Sequence, residues 1–195
     1  MRYVFGTAAL LALCLGKHRP ALIRSLFHPA AIALGVLNFL NQTSWTWGCY
    51  GAEATVAQLI SKINLVFIIL LSWMIFREER AVIRHPLYIA GTAVSFVGVT
   101  LVLMTDPASF APRIDFYTIM LLLTSVGWAI YSVWGKHLVR DIHPLPMFTA
   151  VAVYSTIGFW ATSEAFGTTE RPWSVPAAIL VTAAVSGAIS IAGSH

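Results

Sequence analysis

The sequence predicts an all-α polytopic membrane protein with seven transmembrane helices. Its composition is the first reason, because 58% of its 195 residues are hydrophobic and only 10% are charged, whereas soluble domains carry about 25% charged residues. The mean hydropathy is +0.78. The second reason is that basic residues cluster between long apolar stretches, a pattern typical of membrane spans separated by loops. We therefore expect lipid to surround most of the chain.

The stretch that predicts a transmembrane helix most clearly is residues 54–76. Its 23 residues suffice, at about 1.5 Å each, to cross a hydrocarbon core of about 30 Å. Polar residues come first, at Gln58, Ser61 and Lys62, and the charged cluster 77–80 ends the stretch. A charge near mid-depth costs roughly 2.5–3.5 kcal/mol on insertion scales. Lys62 therefore calls for a functional or structural reason.

The first span is predicted at residues 3–16. A signal peptide is the competing interpretation, because Arg2 precedes the apolar stretch and Cys14 stands near its end, as in a lipoprotein cleavage box. The basic residues Lys17 and Arg19 directly behind the stretch favour a membrane span instead. We therefore expect a helix here, followed by a loop that ends at residue 28.

The other spans follow the same pattern. The second, at residues 29–47, opens with a proline in its first turn, where the missing N–H costs nothing. A loop at residues 77–85 follows the central span. The remaining spans are predicted at residues 86–104, 115–135, 144–166 and 176–195. The proline-containing stretch 105–113 is the best internal boundary.

Basic residues alternate between the loops. The loops after the first, third and fifth spans hold eight of them: Lys17, Arg19, Arg24, Arg77, Arg80, Arg84, Lys136 and Arg140. The loops after the second, fourth and sixth spans hold two, Arg113 and Arg171. By the positive-inside rule the first set of loops faces the cytoplasm. The first span therefore enters the membrane from outside.

An internal match predicts an inverted repeat. The tetrapeptide Pro-Ala-Ala-Ile occurs at residues 29–32 and again at 176–179, an offset of 176 − 29 = 147 residues. The two copies open spans that are five helices apart, and an odd number of helices inverts the second copy, as in many secondary transporters. We expect residues 1–105 to form a first repeat without its first helix, residues 106–114 a linker and residues 115–195 a truncated second repeat, each repeat having five helices when complete. The offset places one further helix before residue 1 and about two after residue 195.

These features resemble the EamA-type members of the drug/metabolite transporter superfamily. The similar segments are residues 54–80, 91–102, 127–132 and 186–195. The resemblance implies two inverted five-helix repeats and a secondary transporter that moves a small organic metabolite by alternating access. One departure concerns the helix at 54–76, where the family often has a central proline and this sequence reads Asn64-Leu65-Val66-Phe67. A proline kink is therefore not expected here.

Nine residues are candidates for lining a substrate cavity: Lys62, Gln58, Ser61, Asn38, Asn41, Gln42, Trp45, Trp128 and Tyr131. Lys62 either contacts a substrate or coupling ion, or snorkels and pairs structurally. Spacing of i, i+3, i+4 and i+7 puts the four candidates at positions 38–45 on one face of a helix. That face either lines a cavity or joins helices through hydrogen bonds. The aromatic rings stack on a substrate or anchor a helix end at the membrane interface.

The sequence shows no catalytic constellation and no phosphate-binding loop. Histidines stand in or near loops and form no metal-ligand motif, and two cysteines give no disulfide framework. We therefore expect a multi-pass protein of the cell membrane that is no enzyme and has no cofactor and no metal. Its expected partners are a small-molecule metabolite and the lipid bilayer, with a homo-oligomer left open and nucleic acid excluded. The alternative is a non-transporting membrane interaction or assembly subunit, and an intramembrane enzyme is a minor one.

Overall fold

The structure, a computed structural model, describes residues 2–103, 115–139, 143–166 and 176–187. Within these ranges the backbone forms helices and no strand, which confirms the predicted all-α class. The helices are α1 (Arg2–Lys17), α2 (Arg19–Leu26), α3 (Pro29–Gly51), α4 (Ala54–Lys62), α5 (Asn64–Ile75), α6 (Glu79–Ile83), α7 (Pro86–Leu103), α8 (Phe116–Leu138), α9 (Pro144–Phe166) and α10 (Ala177–Gly187).

Three of the described helical segments are long and apolar enough to cross a membrane alone. They are Ala57–Ile75, Phe116–Leu138 and Pro144–Ala165. The pair α2 and α3 is a fourth candidate, with a bend of 72° between the two helices. The protein is thus an integral, all-α polytopic membrane protein, and its seven-span count stays a prediction.

The predicted loop at residues 17–28 is wrong, because most of it forms α2. A proline lies in the first turn of this helix, where its fixed φ is suited to helix initiation. Leu22 and Ser25 are buried on one face, while the basic residues Arg19 and Arg24 are exposed on the other. Basic residues indicate a side of the membrane, but they do not exclude a short helix lying there.

Other predicted boundaries also differ from the structure. The α3 helix continues to Gly51, four residues beyond its predicted end, and α8 continues to Leu138, three residues beyond its predicted end. The helix predicted at residues 54–76 is divided at Ile63 into α4 and α5. The loop predicted at 77–85 contains the short α6. By contrast, α9 has the predicted bounds. The linker 105–113, the loop 167–175 and the last eight residues lie outside the described part of the chain.

The helices divide into two compact units. The first comprises residues 1–39 and 135–195, in which α1 packs against α9 and α10. Its contacts include a hydrogen bond of 2.8 Å between the hydroxyls of Thr7 and Thr156, and a ring contact of 4.8 Å between Tyr3 and Phe159. Leu10 is fully buried beside Ala152. Hydroxyl, aromatic and aliphatic side chains therefore join α1 to α9.

The second unit comprises residues 40–134. Its core brings Ala57 and Ile60 of α4 against Leu121 of α8, with Trp45 of α3 packed on this cluster. Gly48 lies so close to Leu121 that an added Cβ would be 2.6 Å from its side chain. The two units do not coincide with the predicted repeats, which concern internal sequence symmetry and stay a prediction.

Candidate functional site

A groove of about 410 Å³ lies within the second unit, between α7 and the α4–α5 pair. It is lined by Lys62, Leu65, Val66, Ile69, Leu87, Tyr88, Gly91, Thr92 and Phe96. Apolar side chains form most of this surface. The polar groups are the Lys62 ammonium, the Tyr88 phenol and the Thr92 hydroxyl, and the last donates to the Tyr88 carbonyl at 2.9 Å. We call this surface the Lys62 groove.

Lys62 is the last residue of α4 and is exposed to the groove. A cation at a helix C-terminus is favoured by the partial negative charge of the terminal carbonyls. Among the described residues, no carboxylate forms an ion pair with it. The ammonium is therefore available to an anionic group that enters the groove.

Gln58 and Ser61, the two other candidates on α4, lie outside the groove lining. Gln58 is exposed one turn before Lys62, on the same side of the helix. The Ser61 hydroxyl donates to the Gln58 carbonyl at 2.7 Å. Since this hydroxyl has a partner in its own helix, the Gln58 amide is the more accessible of the two groups.

Asn38 joins three helices of the first unit. Its amide Nδ2 donates to the Ser155 hydroxyl on α9 at 2.8 Å, and lies 3.4 Å from the Tyr3 hydroxyl on α1. All but 6% of the residue is buried. The polar face at positions 38–45 was predicted either to line a cavity or to join helices, and the contacts of Asn38 favour the joining of helices.

Asn41 belongs to the second unit and is also buried. The side-chain Nδ2 has no hydrogen-bond partner in the described structure, and an unpaired buried amide costs about 1–3 kcal/mol. Its carbonyl oxygen Oδ1 lies against Gly127 of α8, where an added Cβ would overlap with it. This residue therefore offers a buried donor group in the interior of the second unit.

The remaining candidates lie away from the Lys62 groove. Gln42 and Trp45 are half-buried, and Trp45 packs on the Ala57 and Ile60 cluster. Trp128 and Tyr131 meet edge to face, with ring centroids 5.3 Å apart and planes at 83°. Tyr131 is buried and Trp128 half-buried. The structure therefore brings one of the nine candidates, Lys62, into the groove.

Eight of the nine groove residues were not among the predicted candidates, and three of the eight carry a polar or aromatic group. Tyr88, Thr92 and Phe96 follow one another at intervals of four residues on α7, so they share a face of the helix. The signal was present in this spacing. It was hidden because the span at 86–104 is apolar all round, and such a pattern does not indicate which face meets another helix.

Three histidines stand directly before the proline that opens a helix: His28, His85 and His143. In each case the ring Nδ1 accepts the backbone N–H two residues later, at 3.3 Å. These bonds satisfy donors that a helix start leaves free. The described residues contain no group of three or more side chains able to hold a metal ion.

The EamA-like transporter family model matches residues 1–104 of the chain. Two curated relatives are the S-adenosylmethionine uptake transporters of Rickettsia prowazekii (strain Madrid E) and Rickettsia conorii (strain ATCC VR-613 / Malish 7). Each is 25% identical over 174 residues, which cover 85% of this chain and 55% of the relative. The chain thus spans little more than half the length of these relatives. No solved structure matches it.

Proposed function

Because the chain belongs to the EamA-like transporter family, we propose that it is part of a secondary transporter that moves a small organic metabolite across the cell membrane by alternating access. The family match covers more than half of the chain, and the curated relatives are named as metabolite transporters. The observation that carries the proposal further is the Lys62 groove, in which a single ammonium faces an apolar surface.

Lys62 binds the carboxylate of the substrate in this proposal. Opposite charges attract more strongly in surroundings of low dielectric constant than in water. The surface of the groove is mostly apolar, with side chains such as Leu65, Ile69 and Phe96, and provides such surroundings. An anionic group that reaches Lys62 therefore offsets part of the cost of holding the ammonium inside the membrane.

The substrate class follows from the rest of the lining. Tyr88 and Phe96 present aromatic rings in the same groove, and flat heterocycles stack on such rings. We infer a substrate that combines a carboxylate with an aromatic or apolar part. S-adenosylmethionine, the substrate named for the relatives, has an α-carboxylate and an adenine ring and is the first compound to test.

Uptake into proteoliposomes that contain the full-length protein tests the proposal. Labelled S-adenosylmethionine should accumulate, whereas its decarboxylated form should enter more slowly because it lacks the group that pairs with Lys62. A panel of other amino-acid and nucleoside metabolites extends the test to other substrates. If no member of the panel moves, transport is refuted and the assembly-subunit alternative is favoured.

A further inference from the structure

The helix that carries Lys62 is interrupted directly after it. Ile63 separates α4 from α5 and has φ −62° and ψ −22°. Its N–H donates to the Ile60 carbonyl at 3.0 Å, three residues back instead of four. Residues 54–76 contain neither proline nor glycine. A break of this kind then needs a group that inserts into the ladder of helix hydrogen bonds.

Ser125 of α8 supplies that group. Its hydroxyl lies 2.9 Å from the Ile60 carbonyl and 3.0 Å from the Leu121 carbonyl of its own helix, so its hydrogen is shared between the two. In an uninterrupted α-helix the Ile60 carbonyl would accept the N–H of Asn64. The serine competes with that N–H for the same oxygen, and it is 98% buried, away from water that would compete with it.

The break decides how Lys62 is oriented relative to the rest of the groove. A turn of three residues advances the chain by about 120° per residue, whereas an α-helix advances it by about 100°. The turn at Ile63 therefore rotates α5, with Leu65 and Ile69, relative to Lys62. Ile60, on the other face of α4, stays packed against Leu121.

We propose that Ser125 is a positioning residue for Lys62: its bond to the Ile60 carbonyl holds the break between α4 and α5 and so keeps the ammonium at the groove. The part of this proposal that concerns substrate rests on the proposed transport function. The part that concerns the break does not depend on transport.

The break is tested by spin labels on exposed residues at either side of it, Ala54 and Met74, in full-length protein with Cys14→Ala and Cys49→Ser. Ser125→Ala should shift and broaden the distance distribution between the labels. Without the serine hydroxyl, the backbone N–H of Asn64 can form a hydrogen bond with the Ile60 carbonyl. Ser132→Ala, an exposed serine on the same helix, is the matched control and should leave the distribution unchanged. An unchanged distribution in Ser125→Ala would overturn the proposal.

A matched pair of variants separates this role from a general loss of packing. Threonine and valine have side chains of nearly the same shape, but only threonine has a hydroxyl that can bond to the Ile60 carbonyl. Ser125→Val should therefore shift the distances relative to Ser125→Thr, because the two variants differ in the hydroxyl and not in their packing. Equal distance distributions in the two variants would mean that the hydroxyl does not hold the break, and the proposal fails.

Transport kinetics supply the second readout. Ser125→Ala should raise KM for the carboxylate substrate several-fold with a smaller change in kcat, and Ser125→Val should show the same increase relative to Ser125→Thr. Shifted distances in a protein that moves no substrate would support the positioning role while refuting transport. If Ser125→Ala leaves the distances unchanged while Lys62→Met abolishes uptake, transport is supported and the positioning role of Ser125 is refuted.

Discussion

The side-chain amide of Asn38 on α3 donates a hydrogen bond of 2.8 Å to the hydroxyl of Ser155 on α9, and both groups are buried. The Ser155 hydroxyl in turn lies within hydrogen-bond distance of the Gly35 and Val151 carbonyls. Asn38 and Ser155 are 117 residues apart in sequence, and their polar side chains join α3 to α9 inside the first unit. In a membrane such bonds replace part of the hydrophobic effect that joins helices in water.

We predict that this bond makes a measurable contribution to stability. A double-mutant cycle of Asn38→Ala and Ser155→Ala should give a coupling free energy of about 0.6 kcal/mol, the average for hydrogen bonds between membrane helices. The measurement is the free energy of unfolding in mixed micelles. Ser163 is an exposed serine on α9, the helix that carries Ser155. A cycle of Asn38→Ala with Ser163→Ala should show no coupling. Equal coupling in both cycles would contradict the prediction.

Lys62→Met should weaken substrate binding while leaving membrane insertion intact. Methionine has a side chain of similar length but no charge, so the variant loses the pairing with a carboxylate. A loss of about 1.4 kcal/mol would raise KM about tenfold. Lys62→Arg should keep much of the activity, and Lys136→Met, at the exposed end of α8, should match the parent protein. Normal KM in Lys62→Met would move the substrate site elsewhere.

The predicted orientation can be checked by labelling single cysteines in intact cells. Phe27 is 81% exposed and Ala81 is exposed on α6, and both belong to the loops predicted to face the cytoplasm. Glu53, directly before α4, and Glu164, near the end of α9, are also exposed. Both lie at the side of the membrane that is predicted to face outwards. In a cysteine-free background an impermeant reagent should label positions 53 and 164 only. Labelling at position 81 from outside would reverse the orientation.

Asp115 should stabilise the start of α8 in a pH-dependent way. Its carboxylate accepts the backbone N–H of Thr118 at 2.8 Å, and this bond, followed by one from the Thr118 side chain, lowers the pKa of Asp115. The stabilisation is therefore complete above the unfolded-state pKa of about 3.9, and is lost as the pH falls through the lower folded-state pKa.

The measurement is the Tm of the protein in detergent across this pH range. The difference between the parent protein and Asp115→Ala should be constant from pH 7 to pH 5, and should shrink at pH values below about 4. Asp115→Asn keeps a capping side chain that does not titrate in this range. The difference in Tm between Asp115→Asn and Asp115→Ala should therefore stay constant as the pH falls. If this difference shrinks as much as that of the parent protein, another group causes the pH dependence.

The fold class was predictable because composition and span length depend on the whole chain, and the bounds of α9 were predictable because apolar residues and a proline mark them. The α2 helix was missed because its basic residues were interpreted as a loop signal. The break at Ile63 was missed for another reason. Its partner, Ser125, lies 65 residues away, and a lone serine in an apolar span forms no pattern.

The candidate site was predicted only at Lys62, whose charge is unusual in a span. Asn38 was correctly identified as unusual too, but the sequence alone could not decide whether its partner is a helix or a substrate. That decision depends on Ser155, which another helix brings to it. Polar residues in a membrane span therefore indicate that a partner exists, and the tertiary structure is needed to identify it.

The close contact between Asn41 and Gly127 limits the order in which substitutions can accumulate. A side chain at residue 127 would overlap with the Asn41 amide, so a change there alone meets a barrier. A change of Asn41 to alanine or glycine removes the obstacle and also the unpaired donor. A side chain at residue 127 is therefore accommodated more readily once residue 41 is small, and the two positions are energetically coupled although 86 residues separate them.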